Sequence, residues 1–262
     1  MPNNQTVHEK APNPFLMALE ARAPWEWGVA LAAWPMLKMM GTWPKPSTAA
    51  GEPQHVIVYP GLAAGDASTH PLRAFLKDLG YEVHGWYQGM NRGPRKGVLA
   101  RMQEQLEAVY KDTKQPVSLI GWSLGGVYAR EMSKLVPKAV RNVITLGTPF
   151  AQSPRSTNAW RVYSALSGET LPDEVMLRAI AEAPPVPYTS LYSKTDGVVA
   201  WPASIQKPDA SNSAIENIEI FASHLGIGAN PAAWYVIADR LAQPAGRWRP
   251  FTPPMGARFL FG

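Results

Sequence analysis

The stretch Val117-Ser118-Leu119-Ile120-Gly121-Trp122-Ser123-Leu124-Gly125-Gly126 decides how the chain is read. Val117 to Ile120 has the short, mostly apolar character of a buried strand, and the segment from Leu124 to Val136 has the character of a helix that Pro137 stops. Between them Gly121-Trp122-Ser123-Leu124-Gly125 fits the pattern G-x-S-x-G in the strand, turn, helix context that gives the pattern meaning. So sharp a turn crowds the backbone around the serine. Glycine at Gly121 and Gly125 relieves that crowding and lets the Ser123 hydroxyl stand above a sheet edge.

Outward from this turn, strand-like and helix-like segments alternate. His55 to Tyr59 and Tyr81 to Gly85 are predicted strands, with a helix between them from Pro71 to Leu79 that Gly80 closes. Val98 to Tyr110 is a predicted helix, because Val98, Met102, Leu106 and Val109 fall on one face. Val143 to Leu146, Tyr188 to Tyr192 and Ile218 to Phe221 supply further strands, and Pro231 to Leu241 a last helix before a tail that reads as irregular after Gln243. Alternation of this kind implies a mostly parallel sheet flanked by helices and joined by right-handed crossovers. No internal repeat interrupts it.

Two regions break the rhythm. Phe150 to Pro187, with helix-forming stretches near Trp160 to Leu166 and Asp173 to Ala183, reads as a small helical lid spanning roughly 150–187. The first 53 residues read as an N-terminal helical arm and a linker, ahead of a catalytic domain covering 54–262. Trp25, Trp27, Trp34 and Trp43 lie among leucines, alanines and methionines, predicting one or two short helices, and the linker runs from Pro44 to Pro53. Such an arm either packs on the domain or serves as an interfacial segment for a membrane surface or a second copy of the chain.

Composition narrows the chemistry. With 262 residues, 46% of them hydrophobic and 17% charged, the chain can bury one large core. The formal net charge of +5 is spread out, with no basic run longer than Arg95-Lys96, so a nucleic-acid partner is not expected. There is no cysteine, which removes disulfides, thiolate metal sites and a thiol nucleophile. The start of the chain lacks the pattern of a secretory signal, and Gly28 to Leu37 is too short to cross a bilayer, so the expectation is a cytoplasmic protein, or one peripheral to a membrane.

A serine nucleophile needs a base to take its proton and an acid to orient that base. Asp196, in Ser193-Lys194-Thr195-Asp196-Gly197, follows the strand ending at Tyr192, and His224, in Ala222-Ser223-His224-Leu225-Gly226, follows the strand ending at Phe221. Each would sit at the carboxyl edge of the sheet, and the chain order is nucleophile, acid, base. The other histidines fit less well: His8 is in the tail, His55 starts a strand, His70 precedes Pro71 and His84 precedes the nucleophile. Among the acids, Asp173 is in the lid, Asp209 in a polar loop, and Glu216 and Glu219 flank or enter a strand. Two backbone N–H groups should receive the oxyanion, that of Leu124 and that of Leu62 in the turn Tyr59-Pro60-Gly61-Leu62. Neither a metal nor an organic cofactor is required.

With these features in place, the chain from His55 to about Leu241 resembles the α/β-hydrolase superfamily, particularly its bacterial lipase-like and esterase-like members. Ser118 to Gly126 and Val143-Ile144-Thr145-Leu146-Gly147-Thr148-Pro149 look like the nucleophile elbow and following strand of those lipases. The chain departs from them at Trp122, where many have histidine or tyrosine, and in its Trp-rich arm. The resemblance implies hydrolysis of a carboxylic ester through a Ser-His-Asp triad and an acyl-enzyme. The single glycine of the Pro60-Gly61-Leu62 turn is similar to that of enzymes acting on medium or long acyl chains, and the lid and apolar arm suggest a small-molecule or lipid-like ester with an apolar acyl or aryl part, because a water-excluding pocket gains from burying methylenes. Acyl transfer to an alcohol or thiol would use the same residues, and a non-enzymatic interaction protein could be built on the same fold.

Overall fold

A computed structural model describes residues 10–39, 43, 44, 46, 53–167, 173–255 and 258–262. Most of the expected linker from Pro44 to Pro53 lies outside the described residues.

Six strands form one sheet: β1 (His55–Tyr59), β2 (Glu82–His84), β3 (Val117–Trp122), β4 (Val140–Leu146), β5 (Tyr188–Tyr192) and β6 (Ile215–Glu219). Their order is β2-β1-β3-β4-β5-β6, and every neighbouring pair is parallel. The helices in chain order are α1 (Pro14–Leu19), α2 (Ala23–Met39), α3 (Asp66–Asp78), α4 (Val98–Thr113), α5 (Leu124–Leu135), α6 (Trp160–Ser167), α7 (Glu174–Ala181) and α8 (Pro231–Ala242).

Strand periodicity explains the layers. Successive side chains of a strand face opposite sides. Val56, Val58, Ile120 and Ile144 point to one face, where they pack with Phe75 and Leu76 of α3 and Trp234 and Ile237 of α8. Ile57, Tyr59, Leu119 and Val143 point to the other, against Met102 and Leu106 of α4 and Tyr128 and Met132 of α5. The central strands β1, β3 and β4 are therefore buried on both sides, as is usual in a parallel sheet. Each fully buried aliphatic side chain contributes about 1.5–3 kcal/mol. The fold is that of the α/β-hydrolases, a mostly parallel sheet between two layers of helices.

Several elements differ from the sequence reading, among them β4, which begins at Val140 rather than Val143. The helix expected to begin at Pro71 begins at Asp66, with Pro71 inside it. Its start is fixed from a distance, because the Asp66 carboxylate accepts the N–H groups of Trp86 and Tyr87 just after β2. The last strand runs Ile215–Glu219 rather than Ile218 to Phe221. Pairing with β5 sets its register, from Tyr188 opposite Ile215 to Tyr192 opposite Glu219, after which Ile220 pairs with Phe261 of the tail. The tail itself is partly anchored: the Phe251 N–H donates to Glu216 Oε2 at 2.8 Å, and Phe251 stacks edge-on against Phe261. The arm holds a six-residue helix and a seventeen-residue one, the second much longer than expected, joined by a single 3-10 turn at Glu20–Arg22. Among the described residues no helix is long and apolar enough to cross a membrane.

Candidate active site

Ser123 occupies the one-residue corner between β3 and α5 with φ 53° and ψ −122°, in the left-handed half of conformational space that a side chain disfavours. The corner survives because its neighbours lack side chains: a Cβ on Gly121 would meet Gly125 O at 2.3 Å, and one on Gly125 would meet Tyr59 O at 2.4 Å. The Ser123 N–H donates to Leu146 O at 2.8 Å, tying the corner to β4. The block from Val143 to Pro149 has a packing reason as well, since Thr148 fills the space above Gly126, where a Cβ would lie 2.0 Å from its Oγ1.

Asp196 and His224 are brought together. Their loops follow β5 and β6, and His224 Nδ1 lies 2.7 Å from Asp196 Oδ2, both side chains buried. The other carboxylate oxygen of Asp196 accepts from the N–H groups of Val198 at 2.8 Å and Val199 at 2.7 Å, which fixes the acid before it meets the imidazole. Ser193 Oγ, donating to Ala222 O at 2.8 Å, ties the two loops to each other. Ser123 Oγ forms no hydrogen bond to His224 among the described residues, where the imidazole is held through Nδ1 by Asp196. Burial acts to lower the imidazole pKa of His224, but the charge and hydrogen bond of Asp196, followed by the charge of Glu20, outweigh it and leave the pKa raised above the usual histidine value.

Trp122, where the sequence departs from many lipases, is tied to the loop that carries His224. Its Nε1–H donates to the backbone carbonyl of His224 at 3.1 Å. The turn after β1 also reaches the serine, with the position of a Gly61 Cβ only 3.3 Å from Ser123 Cβ. The N–H groups of Leu62 and Leu124 have no hydrogen-bond partner among the described residues, and both residues line the same cavity as Ser123. Leu124 is the first residue of α5, so its N–H lies at the positive end of that helix.

The cavity has a volume of about 290 Å³ and walls that are almost wholly apolar. Leu124 and Val127 of α5 form one side, and Trp160 of α6 with Leu177 and Ile180 of α7 form another. The segment expected as a lid thus contributes part of the wall around Ser123. No group of three or more His, Cys, Asp or Glu side chains among the described residues is arranged to hold a metal.

The sequence reading missed one set of residues. Glu20 and Glu26 of the arm accept hydrogen bonds from the loops that carry Asp196 and His224. Their partners lie about two hundred positions away, and only the glycines next to those partners hint at the contact.

Comparison with known proteins bears on the fold and the family. No curated protein sequence matches the chain. Among solved structures, Aspergillus fumigatus lipase B is 18% identical with a TM-score of 0.60, the match covering 78% of this chain and 56% of that one, so this chain spans little more than half the length of that lipase. Bacillus licheniformis lipase BlEst2 in its mature form is 15% identical with a TM-score of 0.57, over 76% of this chain and 96% of that one. The thioesterase domain from the curacin biosynthetic pathway is 14% identical with a TM-score of 0.50, over 73% and 92%. At these identities the likenesses show the shared fold. The family described as palmitoyl protein thioesterase matches residues 55–213, from the first strand through the elbow and the loop after β5, and the chain belongs to that family within the α/β-hydrolase superfamily.

Proposed function

We propose that the chain is a serine hydrolase that cleaves esters, or thioesters, of apolar acyl groups, with Ser123 as nucleophile, His224 as base and Asp196 as the acid that orients it. The observation that carries the reading is the buried 2.7 Å pair of His224 and Asp196 at the sheet edge where Ser123 is held in a strained corner. Ser123 Oγ attacks the acyl carbon while His224 Nε2 takes its proton, and Asp196 stabilises the imidazolium. The proton passes to the departing alkoxide or thiolate, leaving an acyl-serine. Water then attacks the acyl carbon, giving a proton to His224; the bond to Ser123 Oγ breaks, the carboxylic acid leaves, and His224 returns the proton to Ser123. In both steps the N–H groups of Leu62 and Leu124 receive the negative oxygen, a contribution of about 2.7–4 kcal/mol per donor.

The apolar cavity supports an acyl or aryl substrate, since each methylene taken out of water contributes about 0.8 kcal/mol. In this reading α6 and α7 act as a lid over that chain. The family description adds palmitoyl thioesters to the substrates worth testing. The test is hydrolysis of p-nitrophenyl esters from acetate to palmitate, together with an S-palmitoyl peptide, by the purified chain and its Ser123→Ala variant. Turnover should rise with chain length until the cavity is full, and Ser123→Ala should lose roughly 10⁴- to 10⁶-fold. Equal rates for the two proteins on every substrate would sink the assignment.

A further inference from the structure

The loop that carries His224 is not self-sufficient. The backbone N–H groups of Ser223, His224 and Leu225 all donate to carboxylates of the N-terminal arm. Glu20, in the turn between α1 and α2 and only 6% exposed, provides most of this. Its Oε1 accepts from His224 N–H at 2.8 Å and also from Gly197 N–H at 2.8 Å, the residue after Asp196, while its Oε2 accepts from Leu225 N–H at 3.0 Å. One carboxylate therefore bridges the acid loop and the base loop.

The surrounding arm reinforces the bridge. Glu26 accepts from Ser223 N–H at 3.0 Å and Ser223 Oγ at 2.5 Å, and Trp27 Nε1–H donates to Leu225 O at 2.9 Å. Arg22 donates to Glu26 at 2.8 Å and to Thr195 Oγ1 at 2.7 Å. Asp196 and His224 are each followed closely by a glycine whose missing side chain admits the arm. A Cβ on Gly197 would lie 2.2 Å from Leu16 O, and one on Gly226 would lie 1.7 Å from Glu26 Oε2. Such close approach is a use of glycine that loop flexibility alone does not require.

We propose that Glu20 is a positioning residue for the reaction, a carboxylate reaching in from the arm that locks the Asp196 and His224 loops into the relative placement in which the imidazole is paired. The proposal rests on the Ser123, His224, Asp196 reading. It makes the arm part of the catalytic apparatus rather than an appendage. The charged groups facing His224 are Asp196 from the β5 loop and Glu20 from the arm, with Glu26 and Arg22 one residue further out on Ser223 and Thr195.

The test uses the full chain, its Glu20→Gln and Glu20→Ala variants, and Leu106→Ala as a control that loosens the core on the α4 face without touching the arm. With p-nitrophenyl butyrate, measured well below each melting temperature, Glu20→Gln should lower kcat by roughly 10- to 100-fold and leave KM within about threefold, the size expected when reacting groups are misplaced by an ångström or less. Its acid limb should move to lower pH, because one negative charge facing the imidazole is gone. Millimolar formate should restore part of the activity of Glu20→Ala. The proposal is overturned by a Glu20→Gln protein with wild-type kcat and acid limb, or by a loss that follows melting temperature as in Leu106→Ala with the acid limb unmoved. If the wild type itself neither turns over ester nor reacts with a fluorophosphonate, the triad reading fails separately. The positioning claim is then decided by the Nδ1 proton resonance of His224: its loss in Glu20→Gln upholds positioning, and its persistence refutes it.

Discussion

The site has two flanks built in opposite ways. On the arm side, carboxylates meet backbone N–H groups at 2.8–3.0 Å, and Ala23 and Ala30 of α2 are buried. On the lid side, α7 buries none of its residues completely, Val175 is 76% exposed and Met176 54%. What holds that segment is concentrated at its base, where the buried Arg130 donates to the carbonyls of Ile180, Ala181 and Glu182 and lies over the Phe150 ring. Hydrogen bonds are directional and fix orientation, whereas apolar contact is non-directional and tolerates many shapes. One flank is therefore suited to setting the geometry of the reacting groups, the other to accepting an acyl chain. A change on the lid side should alter which substrate is used, and a change on the arm side should alter how fast any substrate reacts.

The largest expected separation comes from Leu177→Trp, which fills the cavity from α7. Excluding about four methylenes at about 0.8 kcal/mol each predicts roughly a 200-fold loss of kcat/KM on palmitate esters, with acetate esters unchanged, in a chain-length series. An equal loss on acetate would mean that the lid also shapes the reacting groups. Trp122→Phe should do the reverse. Without its N–H the buried His224 carbonyl loses a partner, so kcat should fall about 3- to 10-fold and unfolding free energy by about 1–3 kcal/mol in urea titrations, with the chain-length profile kept.

The pH profile sharpens the contrast further. His224 must be neutral to take the serine proton, and its pKa is raised by Asp196 and Glu20 against the effect of burial. Activity should therefore be lost as pH falls through a value above the ordinary histidine pKa of about 6.5. Leu177→Trp should leave that limb in place. The smallest effect belongs to Val175→Ser on the exposed face of α7, expected to change thermal stability by no more than about 0.5 kcal/mol and short-ester hydrolysis not at all. A clear drop in stability would show that α7 packs more firmly than its exposure implies.

Much of this was legible in the sequence where burial and period act locally. β1 and β5 begin and end where the sequence reading puts them, and α5 begins at the residue after Ser123, because a buried strand and a glycine-crowded corner leave few alternatives. Ser123, Asp196 and His224 could each be placed at a strand end, since every crossover of a parallel sheet returns its following loop to the same edge. The start of α3 and the register of β6 were not legible. The first depends on Trp86 and Tyr87, about twenty residues away, and the second on pairing with β5, while the apolar Phe221 that suggested a longer strand lies outside the ladder and is 67% exposed. Glu20 was hidden for the same reason carried further. A glutamate in a Trp-rich segment has no local pattern that names partners at Gly197 and His224.

The central claim is that one serine is made nucleophilic by the Asp196 and His224 pair. It is tested most directly by reacting the full chain with a fluorophosphonate and mapping the adduct by peptide mass spectrometry, alongside the His224→Ala variant. The account predicts a single adduct on Ser123, formed at least about 10³-fold more slowly when His224 is removed. An adduct on another residue, or labelling of Ser123 at the same rate without His224, would contradict it.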